Sequence, residues 1–173
     1  DTKNKSMAEK KSAISYESIM KSLKAREFAP VYILMGDEPF YIDKICDYIS
    51  ETVLQPEERD FNQMVLFGAD ITASQLVDQC KGFPMMAEHR VVIVKEAQNL
   101  KNLEPLEKYF EKPMASTILV FCHKNGSIDR RKKFLPRAEK VGVVFESKKL
   151  YDRQLPGFIE TYLKTRKATI EPK

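Results

Sequence analysis

The sequence predicts an α/β domain: a mainly parallel five-stranded sheet flanked by helices on both faces. Three observations point that way. Short apolar runs recur along the chain, each set apart by segments whose apolar residues return every three or four positions. The runs are continuous, not alternating, which is the pattern of strands covered on both sides. Helix-like and strand-like segments alternate from one end to the other, the order that builds a parallel sheet. A chain of 173 residues, 43% of them hydrophobic, suffices for one compact domain with a sizeable core.

The elements follow in order. Ser15 to Lys24 carries Tyr16, Ile19, Met20 and Leu23 at helical spacing. Pro30 closes the connection, and Val31 to Met35 reads as a buried strand. Gly36-Asp37-Glu38-Pro39 is a turn with its proline at a first helical position. Phe40 to Leu54 then repeats Ile42, Ile45, Cys46, Ile49 and Val53 along one face. Phe61 to Phe67 is a second strand, and Thr72 to Cys80 a helix with Leu76 and Val77 inward. Arg90 to Lys95 is a third strand. Leu100 to Phe110 is a helix that tolerates Pro105 only in its first turn. Thr117 to Cys122 is a fourth strand. Asp129 to Lys140 is expected as a strongly basic helix, bent or restarted at Pro136. Val141 to Phe145 is the fifth strand and Tyr151 to Leu163 a last helix. Residues 1–14, polar and Lys-rich, are expected to be flexible, with the folded unit at 15–165 and the start of a linker at 166–173. Met7 is either a natural start or an internal residue.

Composition removes several function classes. Lys and Arg number 29 against 25 acids, a formal charge of +4. That excess permits contact with nucleic acid without demanding it. No apolar run approaches the ~20 residues of a membrane span, and no signal peptide is visible. Cys46, Cys80 and Cys122 are odd in number and widely spaced, which argues against a disulfide framework or zinc ribbon and fits a reducing cytoplasm.

Parallel α/β domains often bind nucleotide where the first strand meets the next helix. A phosphate loop there reads G-x-x-x-x-G-K-S/T: glycines let backbone N–H groups close on phosphate, the lysine reaches the β and γ phosphates, and the hydroxyl holds Mg²⁺. Here Gly36 is present, but Tyr41, Ile42 and Asp43 stand at the glycine, lysine and hydroxyl positions. Asp37 and Glu38 would repel phosphate, and Pro39 removes a donor. The third strand, where such ATPases supply a metal-binding acid, ends in Lys95. ATP hydrolysis is therefore not expected, whether this is a degenerate nucleotide site or a sheet that never had one. Other chemistry is sparse. His89 and His123 lack neighbours at metal-ligand spacing, so neither a metal nor a cofactor is expected. Cys122 and His123, adjacent on a strand, point to opposite faces and cannot form a dyad.

Four stretches stand out in order: Pro30 to Ile42; Phe83 to Val94; Ser127 to Phe134; and Val143 to Glu146 followed by a terminal helix. Together they resemble the N-terminal domain of the delta-subunit family of bacterial DNA polymerase III, the first being similar to its opening strand and degenerate phosphate loop. The resemblance covers about Tyr16 to Leu163. It implies a degenerate AAA+ (P-loop NTPase-like) domain and a non-catalytic subunit of a clamp loader, acting in the bacterial cytoplasm as part of the DNA-directed DNA polymerase holoenzyme. Its implied partners are the beta sliding clamp, which the loader opens, the ATPase (gamma/tau) and delta prime subunits, and primed DNA met through the assembled loader. It also implies a lid and a collar domain that would follow the linker. Delta prime is the alternative within the same ring, but its zinc-binding cysteines and Ser-Arg-Cys motif are absent from this sequence.

The family's clamp contact lies before the third strand. Matched residue by residue it falls on Phe83, Met85 and Met86, with Met-Met where the family usually has Leu-Phe. Methionine is flexible and polarizable and suits an apolar pocket. The alternative is that these side chains are core under the sheet; Pro84 argues against it by lifting the segment out of a helix. Arg130, Arg131, Lys132 and Lys133 are candidates for DNA phosphate contact, or else form a solvated basic face.

Overall fold

The computed structural model describes residues 14–149. The predicted helix Tyr151 to Leu163 and all but the last residue of the expected flexible N-terminus lie outside that range. Five strands form one wholly parallel sheet: β1 (Val31–Gly36), β2 (Gln63–Phe67), β3 (Arg90–Lys95), β4 (Thr117–Lys124) and β5 (Val143–Ser147), in the order β2-β3-β4-β1-β5. The helices are α1 (Tyr16–Lys24), α2 (Pro39–Thr52), α3 (Pro56–Asn62), α4 (Ala73–Cys80), α5 (Glu104–Tyr109) and α6 (Phe134–Val141). Single 3₁₀ turns occupy Gly68–Asp70 and Ala97–Asn99.

β1 is the buried axis, paired with β4 from Val31↔Leu119 to Gly36↔Lys124 and with β5 from Tyr32↔Val143 to Gly36↔Ser147. Because side chains alternate along a strand, the sheet separates two cores. Val31, Ile33 and Met35 join Leu76, Cys80, Leu106, Phe110, Phe134 and Leu135 of α4 to α6 and the segments beside them. Tyr32 and Leu34 join Ile19 and Leu23 of α1 and Ile42, Ile45 and Ile49 of α2. The fold is the expected parallel five-stranded sheet flanked by helices.

Local chemistry explains the helix starts. Ser15 and Ser18 form a reciprocal capping box on α1, and Thr72 and Gln75 do the same on α4. Pro39 opens α2 at its first turn. Several boundaries differ from expectation. The helix expected from Leu100 begins at Glu104, because a 3₁₀ turn and a loop precede it, and β4 runs past Cys122 to Lys124. The segment expected as strand from Phe61 starts at Gln63, because Phe61 and Asn62 end a helix, α3, that apolar periodicity does not reveal. The basic helix expected from Asp129 begins at Phe134; helix α6 keeps Pro136 within its first turn, where the missing N–H costs no bond. The fifth strand starts at Val143, since Val141 is still helical. Pro105 does lie in the first turn of α5.

Candidate functional site

The residues singled out in the sequence fall at opposite ends of the parallel sheet. Arg90, just after the 81–89 loop, pairs with Thr117 at the amino end of β4, whereas Gly36 pairs with Lys124 at its carboxyl end. Seven residues of strand separate them, about 23 Å at ~3.3 Å per residue.

At the amino end, the loop between α4 and β3 presents Phe83, Met85 and Met86 at 76%, 60% and 100% exposure. Core membership for these side chains is excluded. The loop is braced at several points. The Thr117 hydroxyl donates to the Cys80 carbonyl at 2.6 Å, closing the end of α4. Arg90 reaches back to α4, donating from Nε to the Gln79 carbonyl (2.8 Å) and from Nη2 to Gln79 Oε1 (2.9 Å). Gly82 lies against that guanidinium, its would-be Cβ 3.0 Å from Nε. On the other side Asn62 Oδ1 accepts from the Met85 N–H at 2.6 Å and Asn62 Nδ2 donates to the Met85 carbonyl at 2.9 Å. Met86 follows with φ of 56°, a left-handed conformation that a residue with a Cβ adopts at a cost. Ala87 turns back against the core, and the His89 ring meets Phe28 edge-on at 5.4 Å. Sequence reasoning missed Asn62, because it ends a helix that reasoning did not find.

At the carboxyl end, Gly36 has φ of +129°, and a Cβ there would lie 2.0 Å from the Ser147 carbonyl oxygen. Glu38 caps α2 with its own carboxylate, accepting from the Phe40 N–H at 3.2 Å. A helix N-terminus is where phosphate binds, and here a fixed negative charge holds that place. Tyr41 packs on Tyr16 (4.8 Å between ring centroids) and Phe40 (5.1 Å). Ile42 is fully buried core. Asp43 bonds Lys124 Nζ at 2.7 Å, and that bond holds the Lys124 ammonium above its usual pKa against the opposing effect of burial. Lys95 is exposed at the end of β3.

The basic run occupies the turn before α6. Arg130 is held by Glu139 and Glu146, each at 3.2 Å. Arg131 grips Asp129 with two nitrogens, at 3.1 and 3.0 Å, which lowers the Asp129 pKa. Burial pushes the Glu146 carboxyl up, but bonds from Ser127 and Arg130 outweigh it and its pKa is lowered. Lys132 and Lys133 line a shallow cleft with Glu104, Glu107 and Asp129. Thus two of the four cations are matched by acids, and the other two share a mixed surface.

Cys122 faces Cys46 in the core, and the bond between the two thiols together with burial pushes the Cys122 thiol up. His123, half-buried, donates from Nδ1 to the Gly126 carbonyl at 3.2 Å. The two side chains diverge, as strand geometry requires. Burial raises the Cys80 thiol to about 12. Among the described residues no group of three His, Cys, Asp or Glu side chains is placed to hold a metal ion, and no helix is long and apolar enough to cross a membrane.

Comparison with known proteins places this arrangement. The family model for the DNA polymerase III delta subunit matches residues 32–148, a span that holds all of the sheet except Val31, and the Phe83–Met86 loop. A curated relative, DNA polymerase III subunit delta of Bacillus subtilis (strain 168), is 31% identical over 162 residues, covering 88% of this chain and 47% of its own. The solved structure of the Bacillus subtilis DNA clamp loader delta protein superposes with a TM-score of 0.74 at 29% identity, over 88% of this chain and 48% of that one. A DNA polymerase III gamma subunit-related protein from Thermotoga maritima gives a TM-score of 0.46 at 15% identity, over 83% of this chain and 49% of that one. The chain spans about half the length of the relatives it matches. It belongs to the family of DNA polymerase III delta subunits.

Proposed function

We propose that this chain is the clamp-gripping domain of a bacterial clamp loader, folded over residues 15–165, with Phe83, Met85 and Met86 entering an apolar pocket of the beta sliding clamp. One observation carries the reading: three large apolar side chains stand exposed on a loop whose backbone is bonded in place. Exposed apolar groups of this size on an ordered support suit a hot-spot anchor, where a few buried side chains supply most of the affinity. Opening of the clamp, and work beside the gamma/tau and delta prime subunits at primed DNA in the bacterial cytoplasm, belong to the same reading.

The domain acts without ATP. The Glu38 cap, Pro39, buried Ile42 and the Asp43–Lys124 pair support this, since each occupies or consumes a group that phosphate or Mg²⁺ would need. Direct contact with DNA rests on Lys132 and Lys133 more than on the two paired arginines, and is weak and salt-dependent. The test of the reading is titration of the chain into the beta clamp of its own organism, with MgATP calorimetry alongside. Binding that Met85→Ala with Met86→Ala weakens about thirtyfold, equivalent to ~2 kcal/mol, together with no heat from MgATP, is the expected result. An unchanged affinity in the double variant overturns the anchor.

A further inference from the structure

Asn62 is the last residue of α3 and only 1% exposed. A buried carboxamide costs free energy unless its donors and acceptor are satisfied. Asn62 makes three bonds, and two of them go to a single residue. Nδ2 donates to the Glu58 carbonyl one turn back in α3 (2.9 Å) and to the Met85 carbonyl (2.9 Å), while Oδ1 accepts from the Met85 N–H (2.6 Å). The amide therefore engages both backbone groups of Met85, as a neighbouring strand would. These bonds leave the Met85 side chain pointing out. They also immobilise the peptide that enters Met86, the residue with positive φ and complete exposure. A flexible loop would relax Met86 to an ordinary backbone conformation and fold its side chain against the nearest apolar surface.

We propose that Asn62 is a positioning residue for the apolar anchor: its carboxamide fixes the Met85 backbone so that Met85 and Met86 meet the clamp already arranged for binding. The inference rests on the clamp-binding reading above. A loop that is ordered before binding loses less conformational freedom on binding, and a fall in the fraction of competent loop weakens apparent affinity in proportion. Asn62 touches no clamp residue in this account; it acts through Met85.

Two variants test it in this chain. Asn62→Ala removes all three bonds. Asn62→Ser keeps a hydroxyl able to satisfy itself on the Glu58 carbonyl but is too short to span to Met85, so it cuts the loop contact with less disturbance to α3. Three readouts are taken with the same organism's beta clamp, at a temperature where amide exchange shows the central strands still protected. The Met85 amide is expected to lose protection in both variants, with β1 and β4 unchanged. Clamp affinity is expected to fall roughly tenfold, about 1.4 kcal/mol. Added to Met85→Ala with Met86→Ala, either Asn62 change is expected to have no further effect, a non-additivity that general destabilisation does not produce. Wild-type affinity in Asn62→Ser, with the Met85 amide unprotected, overturns the positioning role and leaves the anchor standing. Failure of the unmodified chain to bind the clamp overturns the clamp reading itself, and with it the clamp role of Asn62.

Discussion

The two ends of the sheet use similar materials to opposite effect. At the carboxyl end, polar and charged groups are spent on the protein itself: Glu38 on the start of α2, Asp43 on Lys124, and the Lys124 N–H on Gln98. At the amino end, polar side chains mostly hold backbone, and the apolar side chains are left over. A group already satisfied within the fold is not free to recognise a ligand. The contrast is between an end whose polar groups are engaged within the fold and an end whose large apolar side chains stand exposed, and the proposed function rests on that difference.

The largest expected effect attacks the carboxyl end. Gly36→Ala places a Cβ against the Ser147 carbonyl at a backbone angle that side chains rarely adopt. It should cost more than ~4 kcal/mol of stability, read by denaturant unfolding, because neither strand partner of β1 can move aside. A loss under ~1 kcal/mol would mean that this turn is less constrained than its geometry states.

Next comes Ile42→Lys, which puts a lysine where a phosphate loop would have one. Ile42 is fully buried, so the change should lower stability by about 3–5 kcal/mol, the scale of an uncompensated buried charge. It should gain no MgATP binding by calorimetry, because Glu38 and Pro39 still occupy the helix start. A micromolar MgATP signal in this variant would break the contrast between the two ends.

Asp43→Asn is a milder change. The Lys124–Asp43 pair is partly exposed, with side chains at 26% and 51%, and partly exposed pairs contribute about 0.2–1 kcal/mol. The melting temperature should fall slightly, and less so at high salt. A shift that salt does not reduce would point to packing instead of charge.

The smallest effect is a pH dependence. Glu146 has a lowered pKa in the fold. Its contribution is present above the ordinary carboxylate value of 4.5 and is lost as pH falls through the lower folded value. Glu146→Gln should therefore flatten the acid side of the stability profile and leave the Lys124 region untouched. An identical acid limb in both proteins would show that the Ser127–Arg130–Glu146 network is not linked to folding.

Much of the sheet was legible because its strands are unbroken apolar runs. Val31 to Met35, Arg90 to Lys95 and Thr117 to Cys122 could hardly be anything else between turn signals. Phe83, Met85 and Met86 were picked out by the family resemblance, and Pro84 pointed to their exposure by lifting the segment out of a helix. The structure finds all three exposed, but the Asn62 bonds that hold the loop were not legible. Helix α3 escaped notice for a physical reason. It is seven residues long, its buried residue is the polar Asn62, and no apolar stripe marks it. Its signals were Pro56 at the first turn and Glu57 and Glu58 behind it, which mark a helix start without saying that a helix follows. The basic helix was placed too early because a run of cations looks helical. Pro136 held the correct information, since an interior proline requires the helix to begin within a turn of it. The pairing of Arg130 and Arg131 with acids distant or adjacent in sequence appears only once the turn is folded.

The central claim, that the amino end is a recognition end, is tested most directly by one sample and two readings: Met85→Ala with Met86→Ala, melted and titrated into the beta clamp. Exposed side chains predict a melting temperature close to wild type, since surface truncations stay within about 0.5 kcal/mol, and an affinity weakened about thirtyfold. A collapsed melting temperature with wild-type affinity in the folded fraction would contradict the account, because it would make the two methionines part of the protein's core and not its grip.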